Sequence, residues 1–449
     1  MKKTNRILGL FLAIAMLLTM TAGTAMADDR RTITIGVWWD MYYDSTCDSL
    51  EDDPGYAGNE NDERRFNIVK EIEDTYNVEI EFVNLTYSGV VDSINTSILA
   101  GAPDCDMYMC ELNFGVPAAF NGYAVNLRDV LPADADIFTT NTVMKGVTLG
   151  DDGAVYLMKP VGAMDNSYPL MYNRQMIEDA NLEDPYELWE RGEWTWDKFL
   201  EYCQATTKDL DGDGVNDQWG YDAFIEDAFS GFLMSNGTNI AATPTENFSS
   251  DEVGEVLTLL QDMELVYTCA IPYADGDIDF HRYSWRNGNV AFTIGAAWMM
   301  GEAYLGTDTP YEFDMVYCPF PVGPHGDKDT NAMVQAGGSF YFIPVGAEDP
   351  ELIYNVFSMW NNWYHGDTEL RDDPESIAWW AETTAKLPEL QEHNLAVQQL
   401  CLSREGFDLW QSVGFYIDWT GFFAGDVTVA QFQETYKLQY QDALDAYFK

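Results

Sequence analysis

The sequence predicts an α/β protein of two large lobes, and three observations carry that reading. From residue 33 onward, stretches with strand-type alternation are interleaved with stretches of helical spacing. The chain has 449 residues, more than the roughly 100–200 of one domain. A hydrophobic content of 47% with 14% aromatics excludes a disordered acidic chain and supplies real cores.

Ile33 to Trp38 and Val78 to Phe82 alternate apolar with small or polar residues and are predicted strands. Between them Phe66, Val69, Ile72 and Tyr76 recur near the helical period, after an acid- and Gly-rich loop. A second helix is expected from Tyr87 to Leu99, ending before Gly101 and Pro103, and then a strand from Asp106 to Cys110. The order β-α-β-α-β defines an α/β lobe. In the central third, Trp196, Phe199, Leu200 and Cys203 fall at i, i+3, i+4 and i+7, and Val253, Val256, Leu257 and Leu260 repeat the spacing. Strands return at 289–294, 313–317 and 340–343. Residues 1–27 combine a basic start, an apolar run from Ile7 to Met20 and the small-x-small step Ala25-Met26-Ala27. They predict a secretory signal peptide cleaved near Ala27, and hence an extracytoplasmic (secreted or periplasmic) protein. The first cysteine is Cys47, so no lipidation cysteine follows the expected cleavage site.

Seventy-five acids against 23 bases leave a formal charge of -52. Such a field repels phosphate backbones and anionic bilayers, which argues against nucleic acid and membrane surfaces as partners. Seven scattered cysteines do not form a disulfide framework, and Cys105 and Cys110 are expected on opposite faces of one strand. One metal motif stands out. Asp209, Asp211, Asp213 and Asp217 occupy positions 1, 3, 5 and 9 of a D-x-D-x-D-G-x-x-D loop, with the sharp-turn Gly214 at 6 and the Val215 carbonyl at 7. Hard Ca²⁺ takes that oxygen set. Position 12 is Gly220 rather than a bidentate Glu, so the expectation is a structural Ca²⁺ bound weakly, on the order of 10⁻⁴–10⁻³ M. No organic cofactor is expected.

Several blocks, in order, resemble the extracellular solute-binding protein family 1, the maltose-binding-like group of ABC importers. They are Leu99-Ala100-Gly101-Ala102-Pro103-Asp104, Gly122 to Leu127, Gly153 to Pro160 followed by Leu170 to Arg174, Trp194 to Phe199, Asn287 to Phe292 running on to Trp298, Pro319 to Gly323, and Gly337-Gly338-Ser339. The resemblance implies a type II periplasmic-binding-protein fold, with two lobes that close on a solute by hinge motion. It implies crossovers near Tyr156–Tyr172 and Ile294–Trp298. Lobe 1 is then expected from 28–158 plus 299–350, and lobe 2 from 159–298 plus 351–449. A monomer that delivers a carbohydrate to membrane permease subunits is the implied role, and the acidic field disfavours anionic sugars, so that a neutral oligosaccharide fits best.

Sugar sites pair flat aromatic faces with carboxylates and amides. Trp38, Trp39 and Asp40 end the first predicted strand, and Glu111 and Asn113 the third, where α/β sheets place their ligand crevice. Alternation sends one of Trp38 and Trp39 to the core and the other away from it. By resemblance, Asp165, Asn166 and Tyr168 in the first crossover, Trp298 after the second, and Tyr416, Asp418 and Trp419 near the end join the candidate site; Trp285 is a further candidate. The four histidines lack zinc-ligand spacing, and neither a nucleophile elbow nor a phosphate loop occurs. A binding protein is therefore expected and not an enzyme. A secreted glycoside hydrolase, which would need two carboxyls roughly 5–9.5 Å apart, and a sugar sensor for a membrane receptor are the alternatives.

Overall fold

A computed structural model describes residues 30–447 except 140–142, 150–152, 162–168, 242, 274–283, 295–310, 336–337, 372–384, 407 and 413–416. The signal-peptide expectation and candidates Asp165, Asn166, Tyr168, Trp298 and Tyr416 lie outside the described residues.

The first sheet begins with β1 (Arg31–Val37), β2 (Val78–Asn84) and β3 (Met107–Cys110), followed by the hairpin β4 (Met144–Leu149) and β5 (Ala154–Pro160). The second contains β6 (Leu170–Asn173), β7 (Trp219–Tyr221), β8 (Val290–Ile294) and β9 (Met315–Cys318). The chain then forms β10 (Val334–Gln335), returns to the first sheet as β11 (Phe340–Phe342), and adds β12 (Glu405–Gly406) beside β10. Strand order is β2-β1-β3-β11-β5-β4 in the first sheet and β7-β8-β6-β9 in the second. β1 runs parallel to both β2 and β3, so Val37, Asn84 and Cys110 end at one edge.

Local chemistry explains the helices that matter for the site. α1 (Glu60–Tyr76) starts at an Asn59–Asp62 capping box and stops at Asn77, which turns left-handed at φ 53°. α2 (Tyr87–Ser93) is capped by Thr86 and continues as one wide π-type turn over Ile94–Ile98, within the single helix that spacing predicts. α3 (Leu112–Phe120) leaves β3 directly. α4 (Trp196–Thr206) is capped by Thr195 and buries Trp196, Phe199 and Cys203, as its period demands. α5 (Ile225–Ser235) and α6 (Asp251–Leu265) pack against each other, and α6 buries Val253, Val256, Leu257 and Leu260.

Two lobe boundaries differ from expectation. Met315–Cys318, expected with lobe 1, pairs with β6 in the second sheet, so the second crossover falls between Cys318 and Phe340 rather than near residue 294. α7 (Pro350–Asn361), expected in lobe 2, packs on α1, and its Ile353, Val356 and Phe357 join the core of the first sheet. Periodicity detects these elements but carries no information about which sheet recruits them. α8 (Pro388–Leu402) lies on β9, where Asn394 accepts from the Tyr317 amide at 2.8 Å and donates to the Met315 carbonyl at 2.9 Å. All seven cysteines are free thiols, with Cys105 and Cys110 both buried.

Candidate functional site

The parallel edge of the first sheet gathers the candidates. Trp38 is half-buried and touches both cores, whereas Trp39 is 43% exposed, which settles the alternation between them. The two rings meet edge-to-face at 5.2 Å, and Trp38 also meets Tyr87 at 5.6 Å and Phe114 at 6.0 Å. Tyr87, at the start of α2, is 44% exposed and packs edge-to-face on Phe114 at 5.7 Å. These four rings form a continuous aromatic wall at the strand ends.

Polar groups edge that wall. The Tyr87 hydroxyl donates to Glu111 Oε2 at 2.9 Å and accepts from Asn113 Nδ2 at 3.3 Å. Asn84 Nδ2 donates to Asp40 Oδ1 at 2.8 Å. Burial pushes the Glu111 carboxyl above its ordinary value, only partly offset by the bonds from Tyr87 and Asn113. Burial, then the Glu111 charge, pushes the Tyr87 phenol up to about 12, so it remains a donor. Tyr87, Asn84 and Phe114 are absent from the sequence-based candidates. The strand-end rule that selected Trp38 and Glu111 reaches Asn84 and Tyr87 just as well, because β2 ends at the same edge.

The second lobe reaches α3 through the turn Trp410–Ser412, which is bonded to α5. Trp410 donates its indole N–H to Ser230 Oγ on α5 at 3.1 Å, and the turn Trp410–Ser412 contacts α3. Asp227, one turn before Ser230, is half-buried. Burial first, then the charges of Glu226 and Glu111, raise its carboxyl to about 7. The charge of Glu111, on the first lobe, is thus the smallest of the causes that act on Asp227.

Two candidates are corrected. Trp419 is 0% exposed, with its ring among Phe229, Phe422, Phe423 and Phe432, so no face remains for a ligand. Trp285 is 5% exposed and packs edge-to-face on Phe313 at 5.2 Å. Both belong to the core, where large apolar rings gain most by burial. Asp418 is exposed, but its carboxylate is engaged by the Thr420 amide at 3.0 Å.

The aspartate loop lies elsewhere. Leu170, the first residue of β6 after the crossover, pairs with Ile294 at the end of β8, and β7 runs parallel to β8. The residues preceding Trp219 therefore sit at the pole of the second sheet away from the crossover. There Asp209, Asp211 and Asp217 bring one carboxylate oxygen each within 4.8 Å of the others. That spread fits oxygens around one Ca²⁺, whose ligands stand at about 2.3–2.6 Å. Amides of Gly214 and Gly212 hold the Asp209 carboxyl below the usual range. Asp213 is not one of the trio; its carboxylate accepts from the Val215 amide at 2.8 Å.

Two mixed sheets linked by crossovers, with an aromatic and carboxylate-lined edge between them, define a solute-binding protein of the two-lobed type. The chain belongs to the bacterial extracellular solute-binding protein family, whose model matches residues 57–357. Its fold is shared with an ABC substrate-binding protein from Listeria monocytogenes in complex with cycloalternan, at 15% identity and a TM-score of 0.59, covering 94% of this chain and 100% of that one. It is shared too with a maltose/maltodextrin-binding domain from Bdellovibrio bacteriovorus bound to maltotriose, at 13% identity, TM-score 0.58, covering 92% and 98%. A third structure, a Mycobacterium tuberculosis protein in complex with glycerophosphocholine, has 16% identity, TM-score 0.59 and coverage of 85% and 95%. No curated protein matches the sequence. Among the described residues no helix is long and apolar enough to cross a membrane.

Proposed function

We propose that the protein captures a carbohydrate outside the cytoplasm and presents it, as a monomer, to the permease subunits of an ABC importer. One observation carries the reading: the wall of Trp38, Trp39, Tyr87 and Phe114 stands beside Glu111, Asn113 and Asp40 at the strand ends that face the second lobe. Aromatic faces cover the C–H surface of a pyranose, and carboxylates and amides at the rim take up its hydroxyls. The carbohydrate ligands of the Listeria and Bdellovibrio proteins support the class. Membership of a binding-protein family supports recognition without turnover. Calorimetry of the mature chain against a panel of oligosaccharides, with a parallel assay for glycan cleavage, tests this. Saturable binding with the glycans recovered intact is expected; cleavage would move the protein to the glycoside hydrolases, and binding of peptides but no sugar would overturn the reading.

The Asp209–Asp217 loop is proposed to hold a structural Ca²⁺, with Asp209, Asp211 and Asp217 as its carboxylate ligands. Its position at the far pole of the second sheet gives the ion a role in holding the loop rather than in contacting solute.

A further inference from the structure

Cys203 and Cys269 meet in the second lobe although 66 positions separate them. Cys203 lies in the last turn of α4, and Cys269 follows the exposed stretch 265–268 beyond the end of α6. Gly220 of β7 joins the two. Its amide donates to the Cys269 carbonyl at 2.9 Å, and a Cβ placed on it would fall 2.4 Å from Cys203 Cα and 2.5 Å from Cys203 Cβ. Only glycine permits so close an approach, so the packing that brings the cysteines together also excludes a Glu from the twelfth position of the aspartate loop. The Thr207 hydroxyl completes the junction, 2.8 Å from the Cys203 carbonyl and 3.5 Å from that of Cys269.

Both thiols are fully buried, and Cys203 donates its S–H to the Cys269 sulfur. That bond holds the Cys269 thiol below its ordinary value, whereas burial pushes Cys203 well above its own. Thr268, next to Cys269, is held at φ 49°, a left-handed conformation that is costly for a β-branched residue. Its carbonyl accepts from Asn216 Nδ2 of the aspartate loop at 3.2 Å. The cover over Cys269 is therefore an exposed and strained turn.

We infer that Cys203 and Cys269 are a dithiol pair that closes into a disulfide outside the cytoplasm and pins the foot of the Asp209–Asp217 loop. The family is extracellular, and outside the cytoplasm disulfides form and persist. The oxidant is an external disulfide, which reaches Cys269 when the turn at Thr268 opens. The Cys269 thiolate attacks one sulfur of that disulfide and releases a first thiol; the Cys203 sulfur then attacks Cys269 Sγ in the mixed disulfide and releases a second. The pair gives up two electrons and two protons, which leave on the two released thiols. The bond closes a chain segment that contains the aspartate loop, whose base is the Lys208–Gln218 bridge, and so restricts the denatured chain.

The test incubates the mature chain, both folded and refolded from urea, in a glutathione redox buffer; remaining thiols are blocked and the peptides mapped by mass spectrometry. A cross-linked Cys203–Cys269 peptide is expected. Its absence from both samples, or preferential pairing of either residue with another cysteine, overturns the inference. The oxidised chain should melt about 5 °C higher than the same chain reduced with dithiothreitol. That difference should vanish in C203A and in C269A and persist in C401A. Each variant is compared with itself under the two conditions, so the cost of an alanine in the core drops out. A cross-link that leaves the melting temperature unchanged, or a rise that survives both C203A and C269A, overturns the clamp.

Discussion

Lys159 Nζ lies 3.0 Å from Glu405 Oε1. Lys159 is at the end of β5, one residue before the strand leaves for the first crossover; Glu405 belongs to the β10–β12 ribbon, which contacts α5. Their side chains are 9% and 17% exposed, and Lys145 of β4 approaches the same carboxylate at 3.8 Å. The pair ties the first sheet to the ribbon beside the second lobe. E405Q takes the carboxylate away from a largely buried ammonium, and breaking such a pair typically costs about 3–5 kcal/mol. A lower melting temperature is expected for E405Q, with much of the loss recovered in K159M/E405L, where no charge is left buried. A double variant as unstable as E405Q would show that packing rather than charge dominates.

The aromatic wall separates ligand contact from core packing. Trp39 is exposed and Trp38 is wedged between the two cores. W39A should weaken sugar binding by about tenfold, as loss of one stacking face implies, with the melting temperature within about 1 °C of the parent. W38A should lose stability as well, by about 3 kcal/mol, as large-to-small changes in a core do. Calorimetry and thermal unfolding of both variants distinguish the two roles.

Stability should carry a pH signature from Asp227. Its folded-state value of about 7 is raised above the unfolded carboxyl, so the folded state holds a proton that the unfolded state has released between about pH 4 and pH 7. Stability therefore falls as pH rises through that window and levels off above it. Glu226 and Glu111 are the charges that act on the group. D227N removes the titration, so the melting temperature of D227N relative to the parent should rise from pH 5 to pH 8. A flat difference would contradict the raised value.

Calcium should raise the melting temperature by about 1–2 °C at about 10 mM if binding falls in the weak range expected of the loop, and EDTA should reverse it. D209N and D217N should abolish the increment. D213N should retain most of it, because Asp213 lies outside the trio that converges and is engaged with the Val215 amide. Sugar affinity should be unchanged by EDTA, because the loop sits at the pole opposite the crossover. Differential scanning measurements with and without the ion check the thermal statements, and calorimetric titration with and without EDTA checks the sugar affinity.

Much of this protein was determined by its sequence alone. Alternation located β1, β2, β3 and β8, helical spacing located α4 and α6, and ordered motifs identified the family. Strand-end logic then selected Trp38, Trp39, Asp40, Glu111 and Asn113, because parallel strands deliver their following residues to one edge. Carboxylate spacing likewise brought out the Asp209–Asp217 loop. Tertiary structure decided what periodicity does not encode. It assigned Met315–Cys318 to the second sheet and α7 to the first lobe, since either sheet could bury an apolar strand or helix face equally well. It took Trp419 and Trp285 into the core, because a Trp side chain reads the same in a sequence whether its face meets phenylalanines or a ligand. It also brought the charge of Glu111 to bear on Asp227, a relation between residues 116 positions apart that only the approach of two lobes creates.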